Sequence, residues 1–304
     1  MALSSFGKGV LYAVFSYLVW GLLPIYWRLL DRINSMHILA FRILFSLLLI
    51  SLIFFFQKNT SWLKFYKDRR KTILLTISGI LVCISWGIFV WAVNRGQTIE
   101  AALGYYINPL FSIVLGMCFL REKLKPLQII AFLLALTGVL ILTILTGSLP
   151  WVSLGLAITF AFYGLIKKKI GMPALESVGI ETLIVAPVGF ILLLTPLGTY
   201  LDGGYPNPEG ISYLTSLPIH TLLILPLAGA ATTLPLFLFS KGANLLPLST
   251  LGFIQFISPT MNFLTGVFLF REHFPLRNLI VFCFIWSSAI VYIISLRVKD
   301  KNPG

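Results

Sequence analysis

Charge is what this sequence most lacks. Only 11% of its 304 residues are charged, and ten of them are Asp or Glu. Clustered carboxylates for acid–base chemistry therefore have few sources. Histidine and cysteine are equally scarce. His37, His220 and His273 fall at or near helix ends and form no metal-ligand cluster. Cys83, Cys118 and Cys283 lie in apolar runs without metal-type spacing and read as small buried hydrophobes. The patterns GxxxxGK[ST], HExxH and GxSxG are absent. Their absence argues against ATP hydrolysis on a phosphate loop, a zinc protease and a nucleophile elbow. No metal and no cofactor is expected.

Apolar residues take the place of charge. A hydrophobic share of 58% exceeds that of a soluble domain, so the chain reads as an all-α integral membrane protein. A helix needs about 20 apolar residues to cross a hydrocarbon core about 30 Å thick. Ten runs of that length are found at 9–30, 36–56, 73–94, 99–120, 126–146, 150–167, 176–196, 219–241, 246–270 and 276–296. The first is too long for a signal-peptide core and lacks a small-residue cleavage site after it, so it is expected to remain as a membrane helix. The longer connections are 57–72 and the Gly/Pro-rich "LDGGYPNPEG", 201–210; no sizeable soluble domain is left over.

A net charge of +13 would suit nucleic acid, but the distribution of the cations gives another reason for it. With the N-terminus inside, 17 of the 23 Lys and Arg lie in inner-side segments and five on the outer side, with Arg42 inside a helix. Cytoplasmic loops collect Lys and Arg in this way. Both termini are expected inside, and no nucleic-acid partner is needed.

The chain also repeats itself. "INPLFSIVLGMCFLREK" (107–123) returns 150 positions later as "ISPTMNFLTGVFLFREH" (257–273). At the same offset Asn94 meets Asn244 and Phe132 meets Phe282, while "YLVWGLL" (17–23) resembles "FAFYGLI" (160–166) at an offset of 143. Two halves, 1–147 and 148–304, each of five helices, account for this. Because five is odd, the second half must cross in the opposite sense. The charge count agrees, since it places Arg121 inside and its counterpart Arg271 outside. Inverted-topology repeats are the architecture of many secondary transporters, which bind solute near the midplane between the repeats.

Candidate binding residues gather around the prolines of the repeat. Pro109 and Pro259 each remove a backbone hydrogen bond in mid-helix, a break tolerated at depth where neighbours or a watered cavity satisfy the freed carbonyl. Both are read as helix breaks that serve gating or line the path, with a simple packing kink as the alternative. Near them lie Glu100, Tyr105, Tyr106 and Asn108, then Gln255, Ser258 and Asn262. Amides and phenols suit a solute with polar and flat apolar parts, although single polar residues in membranes also serve simply to join helices.

Arg42 and Glu181 are the charges expected within the membrane, and the cost of a charge at that depth makes each a functional candidate, with snorkelling to the interface as the alternative, above all for the long Arg42 stem. They enter from opposite faces, about five residues deep, leaving a gap on the order of 10 Å between them. Glu181 is the candidate for proton coupling, because burial raises a carboxyl pKa. Trp20 and Trp86 lie deep enough to wall a pocket, whereas Trp62 and Trp151 read as interface anchors. Ser153, Ala157, Ala161 and Gly164, at helical spacing, read as a close helix contact.

The stretches "FSYLVWGLLPIYWRLL" (15–30), "SWGIFVWAVNRG" (85–96), "EAALGYYINPLFSIVLGMCFLREKL" (100–124) and "LPLSTLGFIQFISPTMNFLTGVFLFRE" (246–272) resemble the RarD-type permeases, in the EamA branch of the drug/metabolite transporter superfamily. The resemblance implies ten transmembrane helices in two inverted five-helix repeats in the bacterial inner membrane. It also implies a cavity between the halves, lined by Trp20, Arg42, Trp86, Asn94, Tyr105, Tyr106, Asn108 and Gln255; Ser258 joins them from the proline argument. The expected partners are the lipid bilayer, a small organic metabolite or drug, and protons if Glu181 couples transport. The working unit is a monomer or a homodimer. A lipid-modifying membrane enzyme and a non-transporting scaffold are the alternative functions.

Overall fold

A computed structural model describes residues 3–30, 33–94, 98–147, 151–201, 217–271 and 277–297. Among these residues all regular structure is helical: α1 (Ser5–Arg28), α2 (Ser35–Phe56), a 3-10 helix (Ser61–Lys67), α3 (Arg69–Asn94), α4 (Thr98–Leu120), α5 (Pro126–Thr146), α6 (Trp151–Ile170), α7 (Ala174–Leu194), α8 (Leu197–Leu201), α9 (Ile219–Ile224), α10 (Leu227–Leu245), α11 (Leu248–Gln255), α12 (Ile257–Leu264), a π-helical turn (Thr265–Leu269) and α13 (Arg277–Arg297). In a hydrocarbon solvent a lone segment can satisfy its backbone polar groups only as a helix.

Local signals set several of the ends. Ser4 accepts the Gly7 N–H, and Asn34 accepts those of Met36 and His37, which caps α1 and α2. Pro126 opens α5 at its first position, and Gly147, at φ 75°, closes it in the left-handed conformation.

Helices cover all ten expected runs, and their ends differ from the expected ones by four residues at most. Eight helices among the described residues are long and apolar enough to cross a membrane. The fourth and sixth runs fall outside that set; the fourth contributes the shorter apolar helix Gly104–Leu120.

The packing pairs the two halves. α3 lies on α6 as α10 lies on α1, α3 on α7 as α10 on α2, and α4 on α6 as α11 and α12 on α1. The contacts α2 with α7, α4 with α11 and α5 with α13 each join an element to its sequence counterpart. Arg121 and Arg271, the matching residues after the repeated helices, both take a φ of 55°. Small residues permit the closest approaches. A Cβ on Gly252 would stand 2.7 Å from the Pro109 carbonyl oxygen, and one on Gly229 would stand 2.5 Å from the Phe45 backbone. The stripe Ser153, Ala157, Ala161 and Gly164 is buried as a contact face.

Three expectations change. α4 runs unbroken through Pro109, whereas its counterpart is divided at Phe256 and ends in the π-helical turn, so only the second copy is interrupted. Cys118 and Cys283 are exposed and Cys83 is half-buried, because an apolar position on a membrane helix can face lipid as well as core. Trp62 is buried, stacked on Phe54 with ring centroids 4.9 Å apart. It serves the core and not the interface, since the 3-10 helix folds back onto the bundle.

Candidate functional site

Between the halves lies a cavity with about 920 Å³ of atom-free space, its open mouth included. Tyr17, Trp20 and Trp27 of α1, Arg42 of α2, Ser85, Trp86 and Phe89 of α3, Tyr105 and Asn108 of α4, and Phe160 of α6 line it together with Gln255, Ser258, Pro259 and Asn262. Of the residues expected at the site, the fold therefore brings Trp20, Arg42, Trp86, Tyr105, Asn108, Gln255, Ser258 and Pro259 to one cavity. Tyr106 points elsewhere: its hydroxyl lies 3.5 Å from the Pro259 carbonyl oxygen and its ring packs edge-on against Phe282. Pro109 is buried against Gly252. The side chains of Asn94 and Glu100, residues 202–216, and Glu272 and His273 lie outside the described residues.

Asn108 and Gln255, near the two prolines of the repeat, meet at the cavity floor. The Gln255 amide donates to Asn108 Oδ1, Asn108 Nδ2 donates to the Ala157 carbonyl at 2.9 Å, and the Tyr17 hydroxyl donates to Gln255 Oε1 at 3.5 Å. An aromatic layer continues from the cavity wall into the bundle. Trp20 packs on Phe160 at 5.5 Å, Phe160 on Phe239 at 5.6 Å, and Phe239 stacks on Tyr163 at 5.7 Å.

Polar links tie the helices together beyond this layer, at the end that the loop charges assign to the inside. Glu122 accepts the N–H groups of Leu248 at 2.7 Å and Ser249 at 2.8 Å, so it caps the start of α11 from the other half of the chain. The Lys168 ammonium donates to the carbonyl of Leu246. The cavity itself reaches the opposite end of the helices, where Trp27 stands one residue before the last of α1.

Two buried cations are placed very differently. Lys167, 3% exposed, lies 2.9 and 2.8 Å from the two Glu181 carboxylate oxygens. Ser78 and Tyr163 also donate to that carboxylate, and Lys167 donates to Ser177 at 2.7 Å. The count that placed Lys167 in an inner loop is corrected: its stem is inside the bundle. Glu181 does not reach the main cavity. It lines a smaller adjoining one with Ser46, Thr182 and Thr232, and Trp86 forms part of both walls.

Arg42, 9% exposed, makes no ion pair among the described residues. Its Nε donates to Thr232 Oγ1 at 3.1 Å, and its Cζ lies over the rings of Trp27 at 4.8 Å and Trp86 at 4.5 Å. Each such cation–π contact contributes about 0.5–2 kcal/mol, against at least about 2.5 kcal/mol for a cation at that depth.

Lys167, Trp27, Phe89, Phe160 and Thr232 do not stand out in the sequence as site residues; Glu122 reads there as a cap on the inner end of its own helix, and its reach to the start of α11 does not show. A signal existed for Lys167, which follows Tyr163 by four residues and Phe160 by seven, and so shares their helix face. Nothing local marks Thr232 or the reach of Glu122, because their partners are more than a hundred positions away.

Comparison with known proteins gives concordant results. The model of the EamA-like transporter family matches residues 7–144. Over 301 residues, 98% of this chain and 97% of the relative, the sequence is 39% identical to "Uncharacterized transporter YojE" of Bacillus subtilis (strain 168). It is 37% identical over 298 residues to "Protein RarD" of Escherichia coli (strain K12), covering 98% of this chain and 97% of that protein. A solved crystal structure superposes with a TM-score of 0.71 at 16% identity, over 95% of this chain and 99% of that one, which shows a shared fold.

Proposed function

We propose, from the premise that this chain belongs to the EamA-like transporter family as a RarD-type permease, that it moves a small organic solute across the bacterial inner membrane by alternating access. Membership establishes a multi-pass membrane transporter of the drug/metabolite superfamily. The ten-span count, the inverted halves at 1–147 and 148–304, the energy source and the solute are our reading. Either an ion gradient or exchange drives the step.

The cavity, walled by both halves, carries this proposal. Its floor is the Asn108–Gln255 contact, which joins one copy of the repeat to the other. Counterpart helices pack as equivalent pairs, as expected of two similar gates acting on one site. The aromatic layer and the Glu122 cap support a state closed toward the inside. Rocking one half against the other would break the cap and open that end.

Glu181 remains our coupling candidate. Its proton would exchange only when the Lys167 contact opens, which would link protonation to a change in packing of α6 on α7. Counterflow in proteoliposomes with a panel of metabolites tests the transport reading, and failure to move any solute overturns it. If Glu181→Gln leaves pH-gradient-driven uptake unchanged, Glu181 is not the coupling group.

A further inference from the structure

We propose that the solute is an oxyanion, a carboxylate on a flat apolar body, and that Arg42 is the residue that binds the charge. This inference rests on the transport reading above and names the substrate class of the same cavity.

The argument begins with an imbalance of charge. Arg42 is deeply buried, and among the described residues it is the only charged one lining the cavity. The bundle's buried carboxylate, Glu181, is not available to it, because Lys167 occupies both of its oxygens. Guanidinium carries five N–H donors in a rigid fork. Nε is engaged by Thr232, and the two terminal nitrogens have no acceptor among the described residues. Trp27 and Trp86 fix the group in place without supplying an acceptor. A planar oxyanion is the partner that such a fork matches bidentately.

The rest of the wall describes the body of the solute. Trp20, Trp86, Phe89 and Phe160 present aromatic surface, while the amides of Asn108 and Gln255 are already engaged with each other, with the Ala157 carbonyl and with the Tyr17 hydroxyl. No carboxylate lines the cavity among the described residues, so a cationic group on the solute would find no counter-charge there. The geometry therefore favours a net anion over a zwitterion or a cation.

The test uses the full chain, purified in detergent and in proteoliposomes, with a matched series: 3-phenylpropanoate, its neutral amide, phenylalanine, phenethylamine and phenyl phosphate. Binding is read by quenching of tryptophan fluorescence. The expected result is that 3-phenylpropanoate binds about tenfold or more tightly than the amide and the amine. Arg42→Met removes that preference, and Arg42→Lys keeps part of it. Phenyl phosphate outcompeting the carboxylate would support the oxyanion and name a phosphate ester as its source. Equal or tighter binding of the amide, phenylalanine or the amine to the wild-type chain overturns the inference. That ratio decides the matter even if Arg42→Met fails to fold. Counterflow separates the two levels: movement of neutral or zwitterionic solutes without the anions sinks the anion inference and leaves transport standing, whereas movement of none sinks both.

Discussion

Lys167 and Glu181 show how burial changes the meaning of a charge. Three consecutive lysines at the end of α6 look like an inner-surface cluster, yet the first is 3% exposed and locked onto a carboxylate. Removing one member of such a pair strands the other in a low-dielectric interior, at a cost of about 3–5 kcal/mol. Lys167→Met is therefore expected to lower the Tm in detergent sharply. Adding Glu181→Met to it should restore much of the loss, because two apolar groups replace a desolvated pair. A double variant no better than the single one would mean that Ser78 and Tyr163 hold the carboxylate without need of the lysine. The identity of each charged residue was legible in the sequence. Its partner was not, since a pair 14 positions apart on different helices leaves no local trace.

Helix packing here depends on where a side chain is missing. α11 approaches α4 through Gly252, where a Cβ would stand 2.7 Å from the Pro109 oxygen and 2.8 Å from Ile113 Cγ1. Gly252→Ala should cost about 1–3 kcal/mol, because neither backbone nor a buried isoleucine can retreat far. Gly87 offers the control, since no atom lies within 4 Å of the position a Cβ would take. Gly87→Ala is expected to be neutral or to stabilise the fold by up to about 1 kcal/mol. Thermal unfolding of both variants checks the pair, and equal losses would place the close approach elsewhere. The same economy explains the stripe from Ser153 to Gly164, which the sequence displayed plainly because helical periodicity is local. The break at Phe256 was less legible. Proline marks both copies, but only the second is divided, so the proline alone does not decide the break.

For the molecule as a whole, orientation follows from counting cations, and it can be tested directly. In a background with Cys83, Cys118 and Cys283 replaced by alanine, Leu197→Cys at the start of α8, just past the expected outer end of α7, should react with a membrane-impermeant maleimide in intact cells. Lys64→Cys in the 3-10 helix should not react until the cells are permeabilised. The reverse pattern would overturn the N-inside assignment and with it the sense in which the cavity faces. The proposed inversion of the second half makes a further demand, that Arg121→Cys and Arg271→Cys label from opposite sides. Labelling of both from one side would leave the 150-residue repeat as duplication without inversion.

Composition and period were enough to find membrane helices and their approximate ends, the 150-residue offset was enough to suggest two related halves, and eight of the residues lining the cavity were expected there. Each is a property of local chemistry: an apolar run long enough to cross lipid, a helical stripe, a repeated string. What only the tertiary structure decided was pairing. It joined Asn108 to Gln255, gave Glu181 to Lys167 and Glu122 to the start of α11, and left Arg42 between two tryptophans with no carboxylate partner among the described residues. The physical reason is that a buried charge takes its significance from whichever group stands within about 4 Å of it. Groups that close come together only through the packing of helices distant in sequence.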